Sequence, residues 1–240
     1  MTIKDVLKRF FRKLLRWFLW LFIFSNIYLL LCKWMMPPIT LTQLGSLIGG
    51  HGLHRDYVST DEIAPAAKLA AMASEDQLFP DHGGFDWKSI EKSLKNKPGK
   101  QKKIAGAGAS TISQQVAKNV FLWQGHGISR YIRKVPELYF TKMIEWVWGK
   151  ERILEVYMNV AEMGEGIFGI EAASQKYFQK PAKDLTRTEA AMIIACLPNP
   201  KRFTVKPLSR RVAWRYPHIL VQMENIEDDE DVRRLAYGKK

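Results

Sequence analysis

The segment Ser74-Glu75-Asp76-Gln77-Leu78-Phe79-Pro80-Asp81-His82-Gly83-Gly84 gathers three carboxylates and a histidine within eleven positions. A carboxylate walled off by aromatic rings such as Phe79 and Phe85 has its pKa raised toward the working pH, which suits it to take or give a proton. The same cluster also reads as a helix end with an ordinary ion pair, and the residues alone leave both open. Two other groups place charge at helical spacing. Ser110, Gln114 and Lys118 share one face of a helix whose other face is Ile112, Val116 and Val120. Arg133, Lys134 and Glu137 set two cations beside an acid; as a plain intrahelical pair at i,i+4, Arg133 and Glu137 contribute only about 0.2–0.5 kcal/mol. Gly164, Gly166 and Gly169 match a nucleotide loop weakly, because no buried strand precedes them and no Lys-Ser/Thr follows. The five histidines, His51, His54, His82, His126 and His218, lack the spacing of a zinc site, so no metal ligand set is expected.

Helices must position these groups. Asp61 precedes Glu62-Ile63-Ala64-Pro65, with proline in the first turn, and the helix it opens ends close to Glu75. A second helix fits Asp86 to about Leu94. Residues 96–109 collect Pro98, Gly99, Gly106 and Gly108 with Lys97, Lys100, Lys102 and Lys103, which reads as a basic loop. Thr111 and Gln114 form a capping-box pair for a helix to about Phe121. Further helices are predicted over Arg130–Trp148, Glu151–Met163, Gly169–Phe178, Arg187–Leu197 and Ser209–Ile226. The acidic run Glu227–Asp231 reads as a solvated or frayed tail. Arg55-Asp56-Tyr57-Val58 is the one plausible strand, and no alternating run is long enough for a real sheet. The expected fold class is therefore all-α.

With 240 residues and a formal charge of +13, the chain can bury one sizeable core and seeks an anionic partner, which nucleic acid, anionic lipid or a phosphorylated substrate would each satisfy. Cys32 and Cys196 are not expected to pair. Lys4, Lys8, Arg9, Arg12, Lys13 and Arg16 precede an apolar run from Trp17 to Cys32 closed by Lys33 and Trp34, which reads as a single membrane span with its N-terminus in the cytoplasm. No small-x-small site follows that would mark a cleaved signal. The organisation expected is a basic flank and anchor over 1–36, a connector over 37–58, a catalytic domain over 59–226 and a charged tail over 227–240.

Four ordered motifs resemble the peptidoglycan glycosyltransferases, which include the transferase domains of bifunctional penicillin-binding proteins. They are Glu75-Asp76-x-x-Phe79-x-x-His82-x-Gly84, Gly108-Ala109-Ser110-Thr111-Ile112-Ser113-Gln114-Gln115, Arg133-Lys134-x-x-Glu137 and Lys150-x-Arg152-Ile153-Leu154-x-x-Tyr157-x-Asn159. With no transpeptidase segment after them, the chain resembles a stand-alone member. The resemblance implies a lysozyme-like, two-lobed helical domain in the periplasm behind a single-pass inner-membrane anchor. It implies polymerisation of lipid II into β-1,4-linked glycan strands, with inversion and release of undecaprenyl diphosphate. On it, Glu75 is the catalytic base and Glu137 acts on the diphosphate side; Ser110 and Gln114 position the donor, and Lys118, Arg133 and Lys134 hold the diphosphate. Arg130 stands one place later than the arginine of many relatives, after a lengthened Gln124–Gly127 segment, and Arg215 has the spacing of a family substrate arginine. A divalent cation, Mg or Mn, is admitted at the diphosphate. The implied partners are lipid II, the growing strand, membrane lipids and other cell-wall synthesis or division proteins, with no nucleic acid. A lysozyme-like glycan-cleaving enzyme and a non-enzymatic membrane scaffold are the alternatives.

Overall fold

The computed structural model describes residues 3–87, 91, 110–125 and 127–238. The predicted basic loop and all but Asp86, Trp87 and Glu91 of the predicted Asp86–Leu94 helix lie outside these residues. The chain divides into two compact units, Met1–Pro37 and Pro38–Lys240.

The first unit holds α1 (Ile3–Leu31), the one helix among the described residues long and apolar enough to cross a membrane, with a mean hydropathy of 1.8 over its most apolar window. The helix runs through the basic flank as well as the apolar run. Within that run Ser25 Oγ and Asn26 Nδ2 donate back to the carbonyl of Phe22, at 2.8 and 2.7 Å, so two polar side chains find acceptors on their own helix.

The regular structure of the second unit is mostly helical: α2 (Leu41–Ile48), α3 (Pro65–Glu75), α4 (Ile112–Phe121), α5 (Ile128–Val147), α6 (Lys150–Val160), α7 (Ile170–Phe178), α8 (Arg187–Ala195), α9 (Arg210–Ile226) and α10 (Glu230–Tyr237). The all-α expectation holds. Helix starts follow local chemistry: Thr111 with Gln114 and Thr186 with Glu189 form reciprocal capping boxes, and Pro65 opens α3. The core has two groups of helices. In one, α3 packs on α8 and α9 through small residues, Ala67, Ala70, Ala71, Ala190, Ala191 and Ala195, all fully buried. In the other, α4 packs on α5 and α6 with Ile112, Val116, Ile144, Ile153 and Tyr157 in the interior. Glu75 closes α3 at the end that follows this buried alanine face.

Three expectations are corrected. A three-stranded sheet exists, in the order β1-β3-β2, from β1 (His54–Arg55), β2 (Glu162–Gly164) and β3 (Ile167–Phe168). It removes Gly164 and Gly166 from any nucleotide loop; Gly166 sits at φ +67° where a Cβ would lie 2.1 Å from the His51 carbonyl oxygen, a close approach open only to glycine. The connector is folded: Thr40 caps α2, which buries its polar residues Thr42, Gln43 and Ser46 and exposes Leu41, Leu44, Leu47 and Ile48. Finally, the acidic run is no frayed tail. Asp229 caps α10 through the N–H groups of Asp231 and Val232, and Val232, Leu235 and Ala236 are buried as α10 packs on α3.

Candidate active site

Glu75 ends α3 with its side chain 10% exposed, and each carboxylate oxygen is held. Oε1 accepts from Arg215 Nη2 at 3.1 Å and from Ser74 Oγ at 3.1 Å, and Oε2 accepts from Gln115 Nε2 at 3.1 Å. Arg215 Nη2 also donates to Ser74 Oγ at 2.7 Å. Arg215 is itself buried on α9, and burial pushes its pKa down against the opposing pull of Glu75. Among the described residues its Nε and Nη1 have no acceptor, nor has the hydroxyl of the fully buried Tyr157, whose pKa burial and the Glu75 charge both raise. The expected aromatic wall is not what the carboxylate bonds to. Phe79 is buried against the His82 ring, with Lys150 Nζ 4.4 Å from its centroid, and Phe85 packs on Trp87.

Asp76, one residue on, does a different task. Its carboxylate accepts from His82 Nε2 at 2.9 and 3.0 Å and from the Ile112 N–H at 2.9 Å. His82 Nδ1 accepts from the Gly84 N–H, which assigns the proton to Nε2. Thr111 Oγ1 then donates to the Gly84 carbonyl at 2.8 Å. This chain of bonds fixes the start of α4 against the end of α3, with a carboxylate at a helix N-terminus where the macrodipole favours it.

Beyond Gln115 lies a pocket of about 300 Å³ lined by Ser110, Gln114, Gln115, Lys118, Gln124, Gly125, Arg130, Arg133, Lys134 and Glu137. Seven of the nine predicted site residues line it, and the other two, Glu75 and Arg215, are bonded to each other. Four cations face one acid. Lys134 Nζ lies 2.5 Å from Glu137 Oε1, whereas Arg133 Nε stands 3.4 Å from Glu137 Oε2 without forming a hydrogen bond, so both of those atoms keep unused capacity. Arg133 is anchored through Nη1 to the Trp123 carbonyl at 3.0 Å. Lys118 is half-buried and forms no hydrogen bond or ion pair among the described residues; burial and the Arg133 charge push its pKa down, while Glu137 pulls it up. Arg130, exposed on the first turn of α5, reaches the pocket wall despite its shifted place in the sequence. Gly125 allows this, because a Cβ there would meet the Arg130 Cα at 2.8 Å.

Gln114 lines the pocket but spends its Oε1 on the Thr111 N–H, so its amide serves the helix start as well. Gln115 is the functional residue that sequence reasoning missed. It stands at the end of the second motif, three residues before Lys118, but its bond to Glu75 spans forty positions and leaves no local signal of a role. Among the described residues no group of three His, Cys, Asp or Glu side chains could hold a metal ion.

The site is thus a fixed carboxylate beside a pocket of four cations, an arrangement able to hold a base next to an anionic group. The chain belongs to the transglycosylase family, whose model matches residues 42–224. It is 54% identical over 170 residues to the biosynthetic peptidoglycan transglycosylase of Escherichia coli (strain Crooks), a match covering 71% of this chain and 68% of that protein. The protein of the same description from Escherichia coli (strain SE11) matches with the same identity and coverage.

Proposed function

We propose that this chain polymerises lipid II into β-1,4-linked glycan strands, with Glu75 as the base. The observation that carries the reading is the pocket of Lys118, Arg130, Arg133 and Lys134 joined to Glu75 through the single side chain of Gln115. Cations at a pocket wall offset the charge that develops on a departing diphosphate, and charge-assisted bonds to phosphate are the stronger kind. Glu75 takes the proton of the acceptor sugar's 4-hydroxyl as that oxygen attacks the anomeric carbon of the growing chain. The α-linked diphosphate leaves from the opposite face toward the cations, and inversion gives the β-linkage. For this, one Glu75 oxygen must exchange a present partner for the hydroxyl. Oε2 is the one to do so, because its recorded partner is a neutral amide, whereas Oε1 meets a guanidinium.

Glu137 orients the cations, with Lys134 on one of its oxygens and Arg133 beside the other. A divalent ion, if used, would draw its ligands mainly from diphosphate and water, because Glu137 is the one carboxylate lining the pocket among the described residues. Cleavage of a neutral glycoside needs no such clamp, which disfavours the lysozyme-like alternative. The apolar α1 supports a single-pass anchor, and the basic residues before Trp17 support a cytoplasmic N-terminus with the catalytic unit in the periplasm.

Purified protein in detergent should convert labelled lipid II into polymer, with and without a chelator separating the metal question. Fragments from preformed glycan, with lipid II untouched, would replace this reading by the hydrolytic one.

A further inference from the structure

The second motif places three adjacent polar side chains on the opening turn of α4, and folding spends two of them. Ser113 donates to Glu145, and Gln114 Oε1 accepts from the Thr111 N–H in the capping box. Gln115 is different. It is half-buried, it lines the cation pocket, and its one side-chain hydrogen bond among the described residues runs from Nε2 to Glu75 Oε2 at 3.1 Å. A primary amide carries two N–H donors and a carbonyl oxygen, so this side chain is held at one atom and keeps donor capacity.

Glu75 is held unevenly. Oε1 meets the buried Arg215 guanidinium and Ser74 Oγ, both at 3.1 Å, whereas Oε2 meets the Gln115 amide alone. Burial lowers the Lys118 pKa, but the Glu75 charge pulls it back up, so base and pocket wall lie within electrostatic reach of each other. Gln115 bonds to the one and lines the other. For Oε2 to accept a sugar hydroxyl, the Gln115 amide has to leave it, and an amide left unpaired in a half-buried place is costly unless a new acceptor waits. An anion in the pocket supplies that acceptor, because charge-assisted bonds to phosphate are the stronger kind. We propose that Gln115 is a positioning residue that latches the base: it holds Glu75 Oε2 until a diphosphate enters the cation pocket, then turns to a phosphate oxygen and leaves Oε2 open to the acceptor hydroxyl. The base is then free only with the leaving group already in place, and Arg215 keeps Oε1 oriented throughout. The assignment rests on the diphosphate reading of the pocket and adds to it a coupling between donor and base.

The test measures binding of geranyl diphosphate, which carries no sugar, to full-length protein in detergent by calorimetry, across a double-mutant cycle of Glu75→Ala and Gln115→Ala. Removing the Glu75 charge favours a nearby anion in either background, and that contribution cancels in the cycle. The latch adds a second effect, because with Gln115 present Glu75→Ala also spares the ligand from breaking the Gln115–Glu75 bond. Glu75→Ala should therefore tighten binding about fivefold more with Gln115 present than in the Gln115→Ala background, the scale of one hydrogen bond. Equal effects in the two backgrounds overturn the latch. Should Glu75→Ala fail to fold, since it leaves Arg215 buried without its charged partner, the structure of native protein with the same probe decides instead. Gln115 Nε2 on a phosphate oxygen is expected there, and Nε2 still on Glu75 Oε2 overturns the proposal. Native protein that does not bind the probe sinks the diphosphate pocket along with the latch, whereas binding without coupling sinks the latch alone.

Discussion

Lys118 concentrates the conflict between stability and function at the residue scale. It is a half-buried ammonium without a partner among the described residues, set near Arg133 and Lys134, and its pKa lies below the ordinary 10.5. Below its folded-state pKa the lysine is charged in both folded and unfolded chains and the destabilisation is fully present. Between that pKa and 10.5 the unfolded chain holds a proton that the folded one lacks, so stability rises with pH across that window. Lys118→Met should therefore raise Tm at neutral pH by about 2–4 °C, the size of about 1 kcal/mol in a domain of this length. The same change should weaken use of lipid II by about 1.5–3 kcal/mol, as loss of a charge-assisted phosphate contact does. A variant less stable than native, or one with unchanged kinetics, would remove Lys118 from this role. The sequence carried most of this group. Ser110, Gln114, Lys118, Arg133, Lys134 and Glu137 were legible because helical spacing and the family resemblance agree on them. Gln115 stands in the second motif, yet its bond to Glu75 was not legible, because a side-chain bond across the molecule leaves no local pattern.

Elements were legible where local chemistry sets them and obscure where tertiary contacts do. The capping boxes at Thr111 and Thr186 give the starts of α4 and α8 from sequence alone. Strands of two or three residues show no period. α2 hides for another reason: its apolar residues face outward and its polar ones inward, the reverse of the usual core-facing pattern. In α10 the acidic run masks the Asp229 cap and the Val232, Leu235, Ala236 stripe. A chain ending at Asp228 loses that packing on α3 and should unfold at a measurably lower temperature in a thermal melt, whereas a true tail could be removed without effect. Asp76 joins two elements, so Asp76→Ala should cost about 2–4 kcal/mol, combining a lost helix cap with a lost charge-assisted bond to His82. Denaturant unfolding measures this directly; a cost under about 0.5 kcal/mol would mean that the α3–α4 junction is held by other contacts.

The whole molecule joins an apolar helix to a helical unit in which Gln115 links the Glu75 carboxylate to a pocket of cations. An anchored topology predicts that a reporter active only outside the cytoplasm works after Lys240 and is silent before Met1; the reverse pattern would contradict the orientation drawn from the basic flank. The central claim is that Glu75 is the base of lipid II polymerisation, and the rate of labelled lipid II polymerisation by Glu75→Gln tests it most directly. The substitution keeps size and hydrogen-bonding capacity while removing the basic carboxylate, and general-base catalysis contributes about 10²–10⁴-fold. The rate should fall by at least that order in protein that remains folded and binds lipid II, at a lower Tm because buried Arg215 loses its charged partner, while Glu224→Gln, at an exposed position on α9, polymerises as the native chain does. Polymerisation by Glu75→Gln at close to the native rate would contradict the account.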